Sequence, residues 1–317
     1  MNQNRKILVI GGTGAMGTYL VPKLAEDGYQ VDVISMDDVV SPYSNLHYFK
    51  GKADELVPEF VKNHYDAIVD FMIYPTEKFR AVHPMLLGNT DHYIFLSSYR
   101  VFDETKGWTK EDSPQILDAS DDQRFLATDD YALLKSRGED ILEQSSFRNW
   151  TVIRPAITYS QKRCQLVTLE RHQLLPFIRS NTPVLLPAAA MPVQGTMTWA
   201  GDVAEMIRRL LLKEGALCDY FNVTTSEHHT WAEVAEYYRD LFNLDCQLVE
   251  EEPFIQYFWG HASADEQYRR TMQLRYDRLF ERQMDNSKIL NFTGLKQSDL
   301  TPLYEGLKRE RESLLAD

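Results

Sequence analysis

The stretch that most narrows what this chain can fold into is residues 7–17, ILVIGGTGAMG. Four apolar residues, three of them β-branched, run into a glycine-rich turn, and helical spacing follows, which predicts strand, turn and helix. A pyrophosphate rests on the first turn of a helix only where no Cβ keeps it from the backbone, so the glycines point to a bound dinucleotide. Two frames fit, Gly11, Gly14 and Gly17 or Gly12, Gly14 and Gly17, with Thr13, Ala15 and Met16 completing the turn.

At 317 residues the chain exceeds the usual size of a single core, so one large α/β domain with a smaller lobe, or two domains, is expected. A net charge of -13 argues against a general grip on nucleic acid or an anionic membrane. Cys164, Cys218 and Cys246 are widely spaced, odd in number and form no CxxC pair, which points to a reducing compartment and no metal site. The first apolar run is too short for a signal peptide, and none reaches the roughly 18 residues of a membrane span, so the expected location is the cytoplasm.

Past the turn, Thr18 to Asp27 places Leu20, Val21 and Leu24 on one helix face and Gly28 closes it. A strand over Val31 to Ser35 follows. Ser35 and the nearby Asp37 stand where a ribose is commonly held, and no arginine lies beside the strand end, so NAD is favoured with NADP possible; a solvated loop is the alternative. The next unit, Asp54 to Met72, ends in the apolar strand DAIVDFM, whose Asp70, Phe71 and Met72 are candidates to line the cofactor crevice, although packing explains Phe71 and Met72 equally well. A helix over Thr76 to Leu87 is expected to break at His83-Pro84. Tyr93 to Ser98 reads as a buried strand ending in two serines, and Phe102 to Asp129 as a polar excursion over the surface.

Tyr131 and Lys135 lie four apart in DDYALLKSRGEDILEQ, which has helical composition and spacing. An ammonium held beside a phenol favours the phenolate and lowers a pKa that is ordinarily about 10. Alone this is an ordinary surface pair. With a glycine fingerprint upstream and a serine at a strand end between them, it becomes a candidate acid–base group.

These landmarks, together with TVIRPAITY, TWAGDVAEMI, FNVTTSEHHTWAEVAE and DNSKILNFTGL, run in register along almost the whole chain, which resembles the extended short-chain dehydrogenase/reductase family, in particular its NAD-dependent epimerase/dehydratase group. The resemblance implies that Ser98 holds the reacting hydroxyl or carbonyl, Tyr131 exchanges the proton, and Lys135 tunes Tyr131 and binds the nicotinamide ribose. It selects Ser98 over Ser97 because Ser98 stands four residues before Phe102, and it assigns the pyrophosphate to Gly11, Gly14 and Gly17. The strand leading to Arg154-Pro155 would pass under the nicotinamide, while Arg154 is equally suited to anchoring a loop carbonyl. Departures from the family pattern are Phe102, Asp103 and Leu134, and Asp129 with Asp130 would oppose the lysine if close. Tyr99 and Arg100 stand where sugar-nucleotide 4,6-dehydratases carry an Asp-Glu pair, so that dehydration is not expected.

From Ser160 onward Lys162, Arg163, Arg171, His172 and Arg179 are dense in a chain that is acidic overall; they form a solvated face or, by resemblance, meet the diphosphate of a nucleotide-sugar. Pro183 to Pro192 reads as an apolar loop, Asp202 to Leu212 as a helix, Tyr220 to Val223 as a strand returning to the first domain, and Thr230 to Phe242 as an amphipathic helix. Phe254, Tyr257, Phe258 and Trp259 suit the core of a small lobe or a stacking surface for a ring. The expected architecture is a Rossmann-type doubly wound parallel sheet with a smaller, mostly helical C-terminal lobe. Residues 1–160, rejoined by 194–226, form the NAD(P)-binding domain, and 161–193 with 227–317 the substrate lobe. The expected function is an NAD(P)-dependent oxidoreductase or epimerase acting on a nucleotide-sugar or similar hydroxyl or carbonyl compound, in a homodimer as the resemblance implies. A non-catalytic cofactor sensor or RNA-associated protein on the same fold is the alternative, opposed by the intact Ser98, Tyr131 and Lys135 and by the charge.

Overall fold

Strands that are apolar at nearly every position must be covered on both faces, and Ile7 to Ile10 and Ala67 to Val69 are sealed from solvent. They belong to a seven-stranded sheet in the computed structural model, which describes residues 5–316 and so leaves the expected domain ends 1–4 and 317 outside the described residues. Its strands are β1 (Lys6–Ile10), β2 (Gln30–Ser35), β3 (Leu46–Lys50), β4 (Tyr65–Asp70), β5 (Thr90–Leu96), β6 (Trp150–Ile153) and β7 (Asp219–Phe221). They lie in the order β7-β6-β5-β4-β1-β2-β3, and every pairing is parallel. The strand order reverses between β1 and β4, where a doubly wound sheet opens its ligand crevice.

Helices α1 (Gly17–Glu26), α2 (Ala53–Phe60), α3 (Thr76–Leu87), α4 (Tyr131–Glu143) and α5 (Ala200–Leu210) cover the sheet. Leu20, Val21 and Leu24 of α1 share a core with Val203 and Ile207 of α5, while Val57, Phe79, Leu86 and Leu142 from α2, α3 and α4 fill the opposite side.

Three expectations are corrected. The helix α3 does not break at His83-Pro84; it runs through Pro84. A proline cannot donate to the carbonyl four residues back, and the His83 ring lies 2.9 Å from that carbonyl, on Arg80, and takes it over. The excursion over Phe102 to Asp129 is not a bare surface loop: Trp108–Thr109 pairs with Gln283–Met284, and Phe125 stacks on Tyr276 with ring centroids 3.8 Å apart. Within the supposed apolar loop at Pro183 to Pro192, Val184–Pro187 is a strand paired in parallel with Cys246–Val249. All three depend on partners distant in the chain, which local periodicity does not register.

The C-terminal lobe packs around Trp231, Val234, Tyr238, Phe254, Leu303 and Leu307. Its helix Trp231–Phe242 starts from a reciprocal capping box between Thr230 and Glu233. Phe254 and Trp259 go into this core, so the aromatic cluster is chiefly packing.

Candidate active site

The glycine turn bends where the sequence allows it to. Gly11 has φ +78°, a left-handed conformation that a side chain disfavours, and its amide bonds to Ile34 O at 2.8 Å, fixing the turn to β2. A Cβ on Gly17 would stand 2.3 Å from Gly12 O, so the first turn of α1 packs on the glycine loop only without one. Gly12 faces inward, where a Cβ would meet the Val33 side chain at 2.7 Å, whereas Gly11, Gly14 and Gly17 border a cleft of about 540 Å³. The glycines on the cleft are thus those of the first frame, Gly11, Gly14 and Gly17. No side chain caps α1 and no acidic residue stands in its first turn, which suits that end of the helix to an anion, although the amides of Thr18, Tyr19 and Leu20 already donate to Gly14 O and Met16 O.

Into the same cleft come Ala15 and Met16 from the turn, Phe71 after β4, Ser98 after β5, Tyr131 at the start of α4, and Pro155 after β6. Thr13 holds the turn through its carbonyl, which accepts from the Thr18 hydroxyl at 3.2 Å. Met72 sits behind Gly11. Asp70 is buried below the cleft, accepting from the Met72 amide at 2.9 Å, Tyr74 Oη at 2.9 Å and Tyr93 Oη at 2.8 Å. At the end of β2, Ser35 accepts from the Asp37 amide at 3.1 Å and Asp37 is exposed, both outside the cleft wall. Lys50 pairs in register with Ser35 across β3, placing a cation beside this strand end that the sequence reading lacked because β3 was not foreseen.

The two serines after β5 separate cleanly. Ser97 is fully buried and donates to Glu139, whose carboxylate also takes Arg154 Nε at 2.9 Å and Nη2 at 2.6 Å. Arg154 Nη1 donates to Glu111 O at 2.8 Å, so this arginine is the anchor that one of its readings described. Ser98 instead lines the cleft, its Oγ accepting from the Arg100 amide at 3.2 Å.

Burial pushes the Tyr131 phenol above its ordinary value; Arg100, then Arg163 and the Ser98 hydroxyl, pull it back, and Asp130 adds to the rise. Tyr131 is thus a neutral phenol in the resting protein. Lys135 is 1 % exposed and donates to Met72 O at 2.8 Å, with its Nζ 5.8 Å from the Tyr131 ring centroid and 4.8 Å from that of Phe95. Burial brings the amine down to about 8 against the pull of Asp70 and Glu139. Lys135 is thus near Tyr131, but the phenol is raised where the pairing was expected to lower it, and the cations that pull it back are arginines.

The C-terminal lobe supplies a further part of the wall: Arg163, Gln165 and Glu170, then Gln273 and Arg278. Leu274–Arg278 forms a π-helical turn, a form that recurs at functional sites. Its buried Asp277 meets Arg100 Nε at 3.4 Å, Arg282 Nη1 at 2.7 Å, and Arg278. Arg278 Nη1 also donates to Tyr99 Oη at 2.9 Å. Arg163 was singled out in sequence through its basic run, and Tyr99 and Arg100 as departures from the family pattern; Asp277 and Arg278 carry no motif. Among the described residues no group of His, Cys, Asp and Glu is arranged to hold a metal ion, and no helix is long and apolar enough to cross a membrane.

Residues 7–216 match the NAD dependent epimerase/dehydratase family. No curated protein matches the chain by sequence. Among solved structures the chain is similar to Pal from Bacillus thuringiensis, at 16% identity over 98% of both chains with a TM-score of 0.73. It is similar to UDP-glucuronic acid 4-epimerase from Bacillus cereus, solved with UDP-glucuronic acid and NAD, at 15% identity over 98% of both chains and a TM-score of 0.70. UDP-glucose 4-epimerase from Thermotoga maritima, solved with UDP-glucose, gives 16% identity, 97% of this chain and 98% of its own, and a TM-score of 0.70.

Proposed function

The chain belongs to the NAD dependent epimerase/dehydratase family, and from that premise we propose that it is an NAD-dependent epimerase or reductase whose substrate is a nucleotide-sugar. One observation carries the reading: a single cleft joins the uncapped glycine turn, Ser98 and Tyr131. The turn fits the cofactor, since the approach to Gly14 is open and neither a side-chain cap nor an acidic residue occupies the N-terminus of α1. A nicotinamide bound there supplies the hydride acceptor and donor.

The residues divide the remaining work. Ser98, oriented by the Arg100 amide, hydrogen-bonds the reacting oxygen of the substrate. Tyr131 Oη passes a proton to or from that oxygen, and its neutral resting state suits proton donation to a carbonyl. Lys135 is assigned to the nicotinamide ribose. Residues 161–193 and 227–316 form the substrate lobe in this reading, with Arg163 and Arg278 on its cleft side. 4,6-Dehydration is not proposed: Tyr99 and Arg100 directly follow Ser98, and both are tied into the Asp277 cluster through Arg278 and Arg100 itself. A sensor on the same fold has no use for a serine and a phenol converging beside the glycine turn.

Calorimetric titration with NAD, followed by a panel of UDP-sugars with NAD present, tests the reading. Saturable NAD binding and conversion of at least one sugar are expected, with Tyr131→Phe abolishing conversion and leaving NAD affinity in place. Failure to bind either NAD or NADP overturns it.

A further inference from the structure

Tyr131 is ringed by charges from several elements. Its own helix brings Asp130 and Lys135, the segment after β5 brings Arg100, and the C-terminal lobe brings Arg163, whose Nη2 is 3.5 Å from Glu170. Of these cations Arg100 has two carboxylates within ion-pair distance. It is 9 % exposed; its Nη2 reaches Asp130 Oδ1 at 3.1 Å and Oδ2 at 3.3 Å, and its Nε stands 3.4 Å from Asp277. Asp130 in turn accepts from the Ala132 amide at 2.9 Å and so caps the helix that begins with Tyr131. These contacts leave the guanidinium carbon 5.4 Å from the Tyr131 ring centroid.

The charge count is as telling as the geometry. Arg100, Arg278 and Arg282 face Asp130 and Asp277, three cations against two carboxylates. A surplus positive charge with little access to water favours a further anion beside it, and Tyr131 is placed to become that anion when it gives up its proton. Lys135 is engaged otherwise, donating to Met72 O and facing Asp70 and Glu139.

We propose that Arg100 is the positioning residue for the Tyr131 phenolate: clamped between Asp130 and Asp277, its guanidinium supplies the positive charge against which Tyr131 gives up and regains its proton. Asp277 belongs to the C-terminal lobe, so the seating of that lobe fixes the cation beside the phenol. The inference concerns this chain's own residues and stands apart from the identity of the substrate.

Fluorine NMR of protein labelled with difluorotyrosine tests it without substrate or cofactor, since that phenol ionises near neutrality and Tyr131→Phe identifies the signal. The Tyr131 midpoint is expected to rise by about one pH unit or more in Arg100→Gln. It should rise less in Arg100→Lys, whose point charge cannot span both aspartates as the planar fork does, and less in Lys135→Met than in Arg100→Gln. An unmoved midpoint in Arg100→Gln, or a larger rise in Lys135→Met, overturns the proposal. If Arg100→Gln does not fold, Arg100→Lys decides: a rise supports the proposal and an unmoved midpoint overturns it. Because NAD binding is measured separately, failure here leaves the family function untouched.

Discussion

Glu139 and Arg154 form a two-pronged pair sealed from solvent, Nε to Oε1 at 2.9 Å and Nη2 to Oε2 at 2.6 Å. Glu139 is one turn beyond Lys135 on α4, and Arg154 follows β6, so the pair fixes the helix that carries Tyr131 against the sheet. Ser97 and Gln115 also donate to this carboxylate. Truncation to Glu139→Ala strands a buried guanidinium, and a loss of about 3–5 kcal/mol in urea unfolding is expected. An unfolding midpoint near wild type would show that water reaches Arg154.

The adjacent serines should part in function as they do in structure. Ser97→Ala removes a donor from Glu139 and is expected to cost about 1–3 kcal/mol of stability, with turnover of the folded protein unchanged. Ser98→Ala is expected to leave the unfolding midpoint in place and to lower kcat by about a hundredfold or more on any sugar the wild type converts. The reverse pattern would transfer the substrate contact to Ser97.

His92 makes the fold sensitive to acid. Its Nδ1 accepts from the Leu212 amide at 2.9 Å, its Nε2 meets Thr151 Oγ1 at 2.8 Å, and burial lowers the imidazole from 6.5 to about 4. The unfolded chain takes up this proton below about 6.5 and the folded one only near 4, so stability rises with pH across that window and is lost as pH falls through it. The loss from this one group is about 3 kcal/mol. Urea unfolding between pH 4 and 7 checks it: His92→Asn, which keeps an acceptor for the Leu212 amide and has no charge to gain, should show a flatter slope than wild type. Parallel slopes would remove His92 as the cause.

What could be read in sequence follows from range. The alternation-free runs of β1 and β4, the glycine turn and the spacing of Tyr131 and Lys135 are local, and each fell where expected. The edge strand β3 escaped notice because its sequence, LHYFK, is mostly solvent-facing and has no apolar pattern to detect. Arg100 was noticed only as a departure from a family pattern, since its meaning comes from Asp277, far along the chain in a π-helical turn that no residue type announces. Proline at position 84 was a fair signal for a break, and it failed because the neighbouring His83 ring answers the carbonyl that proline cannot.

Gly14 and Gly17 separate the fold from the cofactor in one comparison. At Gly14 a Cβ meets nothing nearer than Gly11 O at 3.5 Å, so the protein itself tolerates Gly14→Ala; the methyl group would stand where a pyrophosphate must approach the backbone. NAD affinity is expected to fall about tenfold or more, about 1.4 kcal/mol, with the melting temperature of the ligand-free protein unchanged. At Gly17 the added Cβ would lie 2.3 Å from Gly12 O, and the glycine loop must shift to admit it. Gly17→Ala should therefore lower both the melting temperature and NAD affinity. Calorimetry and thermal unfolding on the two variants distinguish the effects, and wild-type NAD affinity in Gly14→Ala would move the pyrophosphate away from this turn.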